Sequence, residues 1–253
     1  MRDFPISWVY LYSKEDEVAC IARNVSQLKA LSNVYPIDIS IVIDSSKGVT
    51  LEPIEKLVSL DNVSIISRPF SKTFREHKDW ITKNVGNNQY LFLGDGDESL
   101  PHLNELYPAL MRTMNDNHSI NDNEGIAFAR NNAIRWESGG SIRYKTILDA
   151  QKQLEAFKDS HRDGEQDVPL VVQSGKEFIY VDNYCFPDYQ VRLINKVSFT
   201  GYRGDYHAVP DTKNGFRYAM PISRCSILSH VKTFDRFAEG TELYLKMCPG
   251  GGS

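Results

Sequence analysis

The chain lacks most of the features that announce a chemistry directly. Its 253 residues include only four cysteines (Cys20, Cys185, Cys225, Cys248), widely spaced and without a CxxC pair. Neither a disulfide framework nor a structural zinc site is expected, and a reducing, cytoplasmic setting follows. Apolar runs such as Ile41–Ile43 and Tyr90–Leu93 are strand-sized. No membrane-spanning segment is expected from them, and the first residues hold no stretch long enough for a secretory signal. A basic tract is also missing. The formal net charge is −4, and even residues 176–253 hold only ten basic against eight acidic groups. That excludes a dedicated nucleic-acid footprint. No G-x-x-x-x-G-K-[ST] loop is present, which counts against a P-loop nucleotide site. There is no internal repeat or low-complexity tract. The terminal Gly250-Gly251-Gly252-Ser253 reads as a linker remnant.

What is present is ordinary globular material, 41% hydrophobic and 25% charged, long enough for one sizeable core. The first half alternates strand and helix. Trp8–Leu11 reads as a buried strand, Ser13 with Asp16 as a capping box, and Val18, Ile21, Ala22, Val25, Leu28 and Leu31 as a helix face. Ile37, Ile39, Ile41 and Ile43 alternate as a central strand that ends in Asp44-Ser45-Ser46. A short helix over 53–60, a strand over 63–66, a helix over 74–85 and the strand Tyr90–Leu93 follow. Such a β-α-β-α-β-α-β order implies an α/β fold with a mainly parallel central sheet flanked by helices. The second half is less regular. It offers strands over 126–130, 178–181, 190–194 and 222–228, an amphipathic helix over 145–158 and a polar loop over 161–167. A single domain over 1–249 is the simplest partition, with one half to about residue 115 and the other from about 116.

Ligands of parallel sheets gather outside the carboxyl ends of the strands. Two predicted strand ends carry acids there: Asp44, and Asp95-Gly96-Asp97-Glu98 after Leu91-Phe92-Leu93-Gly94. Two carboxylates one residue apart suit a hard divalent cation, Mg²⁺ or Mn²⁺, bridging to phosphate oxygens. A solvated acidic turn is the plainer alternative. A calcium loop fails on register, since counting from Asp95 the sixth residue is Leu100 rather than Gly and the twelfth is Leu106 rather than Glu.

These motifs, in this order, resemble the family-2-like glycosyltransferases of the GT-A fold. The D-x-D-E motif is Asp95-Gly96-Asp97-Glu98, followed by Pro101. Ser13-Lys14-Glu15 after the first strand and Asp44-Ser45-Ser46 after the second are similar to the family's nucleotide loops. Gln190-Val191-Arg192-Leu193, then Gly201 and His207, resembles its Arg-Leu-Phe … Gly … His-Glu segment. His230-Val231-Lys232 resembles its late His-x-Lys stretch. The similarity covers roughly residues 7–110 and 185–235. Two departures stand out: His77-Lys78 replaces the usual Arg-Asn before the acidic strand, and Ala208 follows His207 where Glu is usual.

The resemblance implies a metal-dependent, inverting transfer of a hexosyl or pentosyl group from a nucleotide sugar, of UDP type, to an acceptor hydroxyl. Donor binding would fall to Ser13, Asp44, Asp95 and Arg192, and the Mn²⁺ or Mg²⁺ to Asp95, Asp97 and His207. His230 and Lys232 would contact the diphosphate, and Glu98 would brace the turn. An inverting reaction needs a carboxylate base near the acceptor. Asp188 is taken for that role on position, with Asp182 and Asp205 as rivals. For each residue a structural role stands beside the functional one: a local turn cap for Asp44, packing for His207, an ion pair for Arg192. The acceptor stays open among a glycan, a lipid-linked sugar, a protein side chain and a modified DNA base. Two other classes also stay open: a catalytically silent sugar-nucleotide-binding module, and a nucleotidyl- or phosphoryl-transfer enzyme.

Overall fold

The structure is a computed structural model, described here for residues 4–116, 124–137, 170–174, 177–182, 188–205, 208–215, 217–221, 223 and 225–233. The chain forms two compact units. One comprises Met1–Arg130 with Asp188–His230, and the other Asn131–Pro187 with Val231–Ser253. The expected helix over 145–158 and loop over 161–167 lie outside the described residues, as does His207.

In the first unit, strands β1 (Ile6–Tyr12), β2 (Ile37–Asp44), β3 (Val63–Arg68) and β4 (Tyr90–Gly94) run parallel, β1 pairing with both β2 and β4. Beyond β4 the sheet is mixed. β9 (Asp188–Asn195) is antiparallel to β4 and to β6 (Gly125–Glu137). The two-residue β5 (Glu98–Ser99) is antiparallel to β13 (Leu228–Thr233). The order is β3-β2-β1-β4-β9-β6-β13-β5. The short strand β12 (Arg217–Ala219) lies parallel to β6, and β10 (Phe199–Arg203) forms a separate hairpin with β11 (Val209–Thr212).

Strand alternation divides the core between the two faces of the sheet. Trp8, Tyr10, Tyr12, Ile39, Ile41, Ile43 and Phe92 pack with Ile21, Val25 and Leu28 of helix α1 (Val18–Ser32) and with Leu103, Leu106, Leu110 and Met114 of helix α4 (Leu103–Asp116). Val9, Val42, Leu91 and Leu93 pack with Ile81 and Val85, at the C-terminal end of helix α3 (Phe74–Asn84). The short helix α2 (Glu52–Glu55) anchors through Ile54. Helices therefore cover both faces, as the β-α order requires.

Two local readings of the sequence need correction, and one helix was not read from it. The acid that caps the first turn is Glu17, not Asp16: its carboxylate accepts from the amides of Ser13 and Lys14 and from Ser13 Oγ. The last strand begins at Leu228, not Ile222. A turn precedes it, in which Ser226 Oγ donates to Pro221 O and accepts from the Ser223 amide. Helix α4 is not announced by the sequence, because Pro108 sits inside it. An interior proline removes one helical hydrogen bond, but the apolar spacing of Leu103, Leu106, Tyr107, Leu110, Met111 and Met114 outweighs that loss through burial.

In the second unit, β8 (Glu177–Asp182) pairs antiparallel with β7 (Leu170–Ser174) and with residues 132–137 of β6.

Candidate functional site

Parallel packing of β2, β1 and β4 sets three loops side by side at one sheet edge. Tyr12 is opposite Ile43, and Tyr10 is opposite Gly94. Ser13, Asp44 and Asp95 each follow or end one of these strands, so the edge gathers them from distant parts of the chain.

The loop after β4 turns tightly against the loop after β1. A Cβ on Gly96 would stand 2.3 Å from Leu11 O and 2.6 Å from Glu17 Oε2. Only glycine fits that approach. Glu17, 2% exposed, therefore does two jobs: it caps the Ser13 turn and lies under the acidic turn. From α1, Asn24 adds a brace, donating to Glu98 O and accepting from the Leu100 amide.

The carboxylates of this turn differ in their partners. Asp95 Oδ1 is 3.0 Å from Lys78 Nζ, and Asp95 Oδ2 is 2.8 Å from Arg192 Nη2. Burial alone would raise the Asp95 pKa, but the Lys78 ammonium and the Arg192 guanidinium reverse this and hold it well below the carboxylate range. Glu98, 1% exposed, receives Arg192 through Nε and Nη2 and Arg130 through Nη1. Burial opposes the charge on Arg192; Glu98 and Asp95 overcome it and push its pKa up. Asp97 Oδ2 stands 3.0 Å from His230 Nε2, both side chains being buried.

Arg192 reaches this cluster because of a bulge. Across β6 and β9, Ile126 faces Leu193 but Ala127 faces Val191, so Arg192 is an extra residue without an opposite number. The insertion reverses the alternation: Val191 and Ile194 pack on the α3 face, while Leu193 packs on the other. Bulges commonly re-aim a side chain in this way beside a site.

Asp44 ends β2 and caps the short 3₁₀ turn Ser45–Lys47, its Oδ1 accepting from Ser46 N, Ser46 Oγ and Phe70 N. Its Oδ2 takes no hydrogen bond among the described residues. Opposite Asp44 on β3 is Arg68, which lies over the Trp80 ring and donates to Ser71 Oγ. His77, packed on Phe70, accepts from the Ser71 amide.

The structure thus joins Asp95, Glu98 and Arg192 in one cluster, sets Asp97 of the same turn against His230, and places Asp44 and Ser13 on the same sheet edge. Asp188 starts β9 opposite Arg130 of β6. Of its rivals, Asp205 pairs with Arg75 at 3.1 Å and Asp182 ends β8 in the other unit. Sequence reasoning missed Glu17, Lys78 and Arg130 as partners of the acidic turn. His77-Lys78, as a departure from the family pattern, was the one signal pointing to Lys78.

For a divalent cation, the donor set fits in part. Asp97 and His230 offer one oxygen and one imidazole nitrogen side by side, whereas both oxygens of Asp95 are engaged by cationic side chains. Among the described residues no three His, Cys, Asp or Glu side chains converge as a metal cluster would. No helix among them is long and apolar enough to cross a membrane.

No protein-family model matches the sequence, and no curated protein matches it. Among solved structures, S. aureus TarS 1–349 is similar at 13% identity and a TM-score of 0.37, over 51% of this chain and 36% of that one. TarS 1–349 in complex with UDP-GlcNAc is similar at 11% identity and a TM-score of 0.36, over 88% of this chain and 60% of that one. The matched region is therefore under two thirds of the length of either TarS chain.

Proposed function

We propose that this chain is a GT-A-type glycosyltransferase that moves a sugar from a nucleotide-sugar donor, of UDP type, to an acceptor hydroxyl. One observation carries the reading: Ser13, Asp44 and the Asp95–Asp97 turn lie at the carboxyl ends of three adjacent parallel strands, and a buried His230 faces Asp97. Strand ends of this kind are where open α/β sheets bind nucleotides.

In this reading Asp44 keeps Oδ1 for its own turn and presents Oδ2 to the ribose or base. Ser13 lines the same edge, held by Glu17. Asp97 and His230 would hold Mn²⁺ or Mg²⁺, with donor phosphate oxygens and water completing the shell. His207 keeps its sequence assignment as a further ligand or diphosphate contact. The cation, when bound, would supply Lewis-acid stabilisation of the charge on the departing nucleoside diphosphate. Arg192 and Lys78 add fixed positive charge beside it through Asp95. Asp188 would accept the proton of the attacking hydroxyl. A glycan, a protein side chain and a modified DNA base are all acceptors of the right chemistry.

The test is a panel of nucleotide sugars, with and without Mn²⁺, read by melting temperature and by product. A ligand that binds only the native state raises the melting temperature. Release of nucleoside diphosphate supports the proposal. Stabilisation without turnover on any acceptor identifies a silent binding module, and release of pyrophosphate or a nucleoside monophosphate identifies a nucleotidyl- or phosphoryl-transfer enzyme.

A further inference from the structure

Two polar atoms at the carboxyl edge of the sheet stay unpaired although their side chains are almost wholly buried. Asp44, 4% exposed, accepts from Ser46 N, Ser46 Oγ and Phe70 N on Oδ1 and leaves Oδ2 without a hydrogen bond among the described residues. His77, 3% exposed on α3, accepts from the Ser71 amide on Nδ1 at 3.4 Å, and its Nε2 has no partner among them either. Neither free atom is sealed from the surface. Consecutive amides hold the two groups, Phe70 N on Asp44 and Ser71 N on His77, so the two side chains flank the same short stretch of backbone. Because the Ser71 N–H donates to Nδ1, the proton of the neutral ring is on Nε2, which makes that nitrogen a donor. Burial, then the Arg68 charge, lowers the His77 pKa to about 4 and keeps the ring neutral. Aromatic surface lies beside the pair. Phe70 stands 4.8 Å from the His77 ring and 5.0 Å from that of Phe74, which is 40% exposed.

We infer that His77 Nε2 and Asp44 Oδ2 together read the base of the donor, selecting one that presents an N–H beside a carbonyl, as uracil and guanine do. The inference rests on the nucleotide-sugar reading and names the class of base, with His77 as the specificity-determining residue. A few placed polar groups against apolar and aromatic surface are how small-ligand sites fix orientation, and aromatic rings add stacking that every base can use. Uracil donates N3–H to Asp44 and accepts from His77 on the adjacent carbonyl. Cytosine has a bare acceptor at that nitrogen, which would face the carboxylate lone pair against lone pair. Adenine has an acceptor at N1 and an amino group beside it, so both of its groups oppose the protein's. Guanine repeats the uracil pattern with N1–H and O6 on a larger ring. A site whose buried polar groups are left unpaired by the wrong ligand discriminates strongly against it. His77 stands at one of the chain's two departures from the family pattern, so this donor belongs to the chain itself.

The experiment titrates uridine, guanosine, cytidine and adenosine diphosphates into the protein in one buffer, read by calorimetry. The unmodified protein should bind uridine or guanosine diphosphate at least about tenfold more tightly than the other two, and the ratio between the first pair shows which ring size the site takes. His77→Phe keeps a ring on Phe70 and removes the donor, so the preference for uridine over cytidine diphosphate should fall about tenfold. His77→Gln should restore it, since its amide oxygen accepts from Ser71 N while its amide nitrogen donates. In Asp44→Asn the donors Ser46 N and Phe70 N hold the amide oxygen at the Oδ1 position, which turns the free position into a donor. That variant should favour cytidine over uridine diphosphate, a reversal that a loss of stability alone does not produce. Ligand-free melting temperatures check folding, and the two His77 variants carry the test should Asp44→Asn fold poorly. Equal binding of all four nucleotides, or an unchanged uridine-to-cytidine ratio in the folded variants, overturns the base-reading role and leaves the nucleotide-sugar reading standing. Absence of binding of any nucleoside diphosphate to the unmodified protein overturns both.

Discussion

His230 Nε2 lies 3.0 Å from Asp97 Oδ2, and the strand that follows Asp97 pairs with the strand of His230 so that His230 is opposite Glu98. That spacing serves a hydrogen bond, and in the proposed site the same two groups would hold the cation. The residues are 133 positions apart in the chain and meet through the β5–β13 pairing.

Asp97→Asn should abolish the Mn²⁺-dependent rise in melting temperature that uridine diphosphate produces, while the ligand-free melting temperature moves by only a few degrees. Asparagine can still hydrogen-bond His230, so the fold keeps its contact and loses its charge. His230→Gln should weaken the same stabilisation. Thermal melts with and without Mn²⁺ decide it, and an undiminished Mn²⁺ response in Asp97→Asn would remove this acid from the metal site.

Arg192→Met should cost about 3–5 kcal/mol of folding stability, the range for breaking a buried ion pair from one side. Glu98, 1% exposed, would keep Arg130 and the Asp95 amide, and the Asp95 carboxylate would keep Lys78. Arg192→Lys should recover part of the loss, since one ammonium cannot serve both acids as the forked guanidinium does. Denaturant midpoints with unchanged slope give the measurement. A cost under about 1 kcal/mol, the level of an exposed pair, would mean the cluster rearranges.

Gly96→Ala should destabilise by about 1–3 kcal/mol, the usual cost of overpacking. The new methyl would meet Leu11 O at 2.3 Å, and a backbone carbonyl inside β1 cannot step aside as a side chain can. Nucleotide-dependent stabilisation should fall with it, because the same shift moves Asp95 and Asp97. Equal stability in this variant would contradict the close approach of the two loops.

Much of the first four strands was legible in the sequence because their signals are local. The isoleucine alternation of residues 37–43 and the apolar run 90–93 need nothing outside themselves, and β-α order then forces parallel pairing. Asp44 and Asp95 could be placed at strand ends for the same reason. What the sequence withheld is set by contacts between distant segments. The aim of Arg192 depends on a bulge against β6, and alternation read along 188–195 alone would put Val191 and Leu193 on one face, where the structure separates them. Likewise nothing within a few residues of Lys78 announces that its ammonium meets Asp95, and nothing around Glu17 announces Gly96. The second half was read less well because β6, β9 and β13 pair with strands far away in the chain and a bulge breaks the alternation of β9.

The last prediction concerns acid sensitivity through His77. This side chain is 3% exposed, packed on Phe70 at 4.8 Å between ring centres, and accepts from the Ser71 amide. Burial foremost, then the nearby Arg68 charge, lowers its pKa from 6.5 to about 4; Asp44 opposes them, and Lys78 adds the smallest push downward. In the unfolded chain the imidazole takes up its proton near its ordinary value. Between about pH 6.5 and pH 4 the unfolded state therefore binds the extra proton and the folded state does not, so stability falls as pH falls through this window. Above it the group contributes no slope, and below about pH 4 both states are protonated and the slope ends. Asp95 acts elsewhere: its lowered pKa gives stability above the ordinary carboxylate value that is lost only at more acid pH. The two effects are thus separable on the pH axis. His77→Gln supplies an amide oxygen for the Ser71 N–H without a titrating ring. Denaturant midpoints at half-unit steps from pH 7.5 to pH 4.5 should decline more steeply for the unmodified protein than for His77→Gln. Parallel curves would show that His77 protonates freely in the folded state and that its burial beside Phe70 carries no acid penalty.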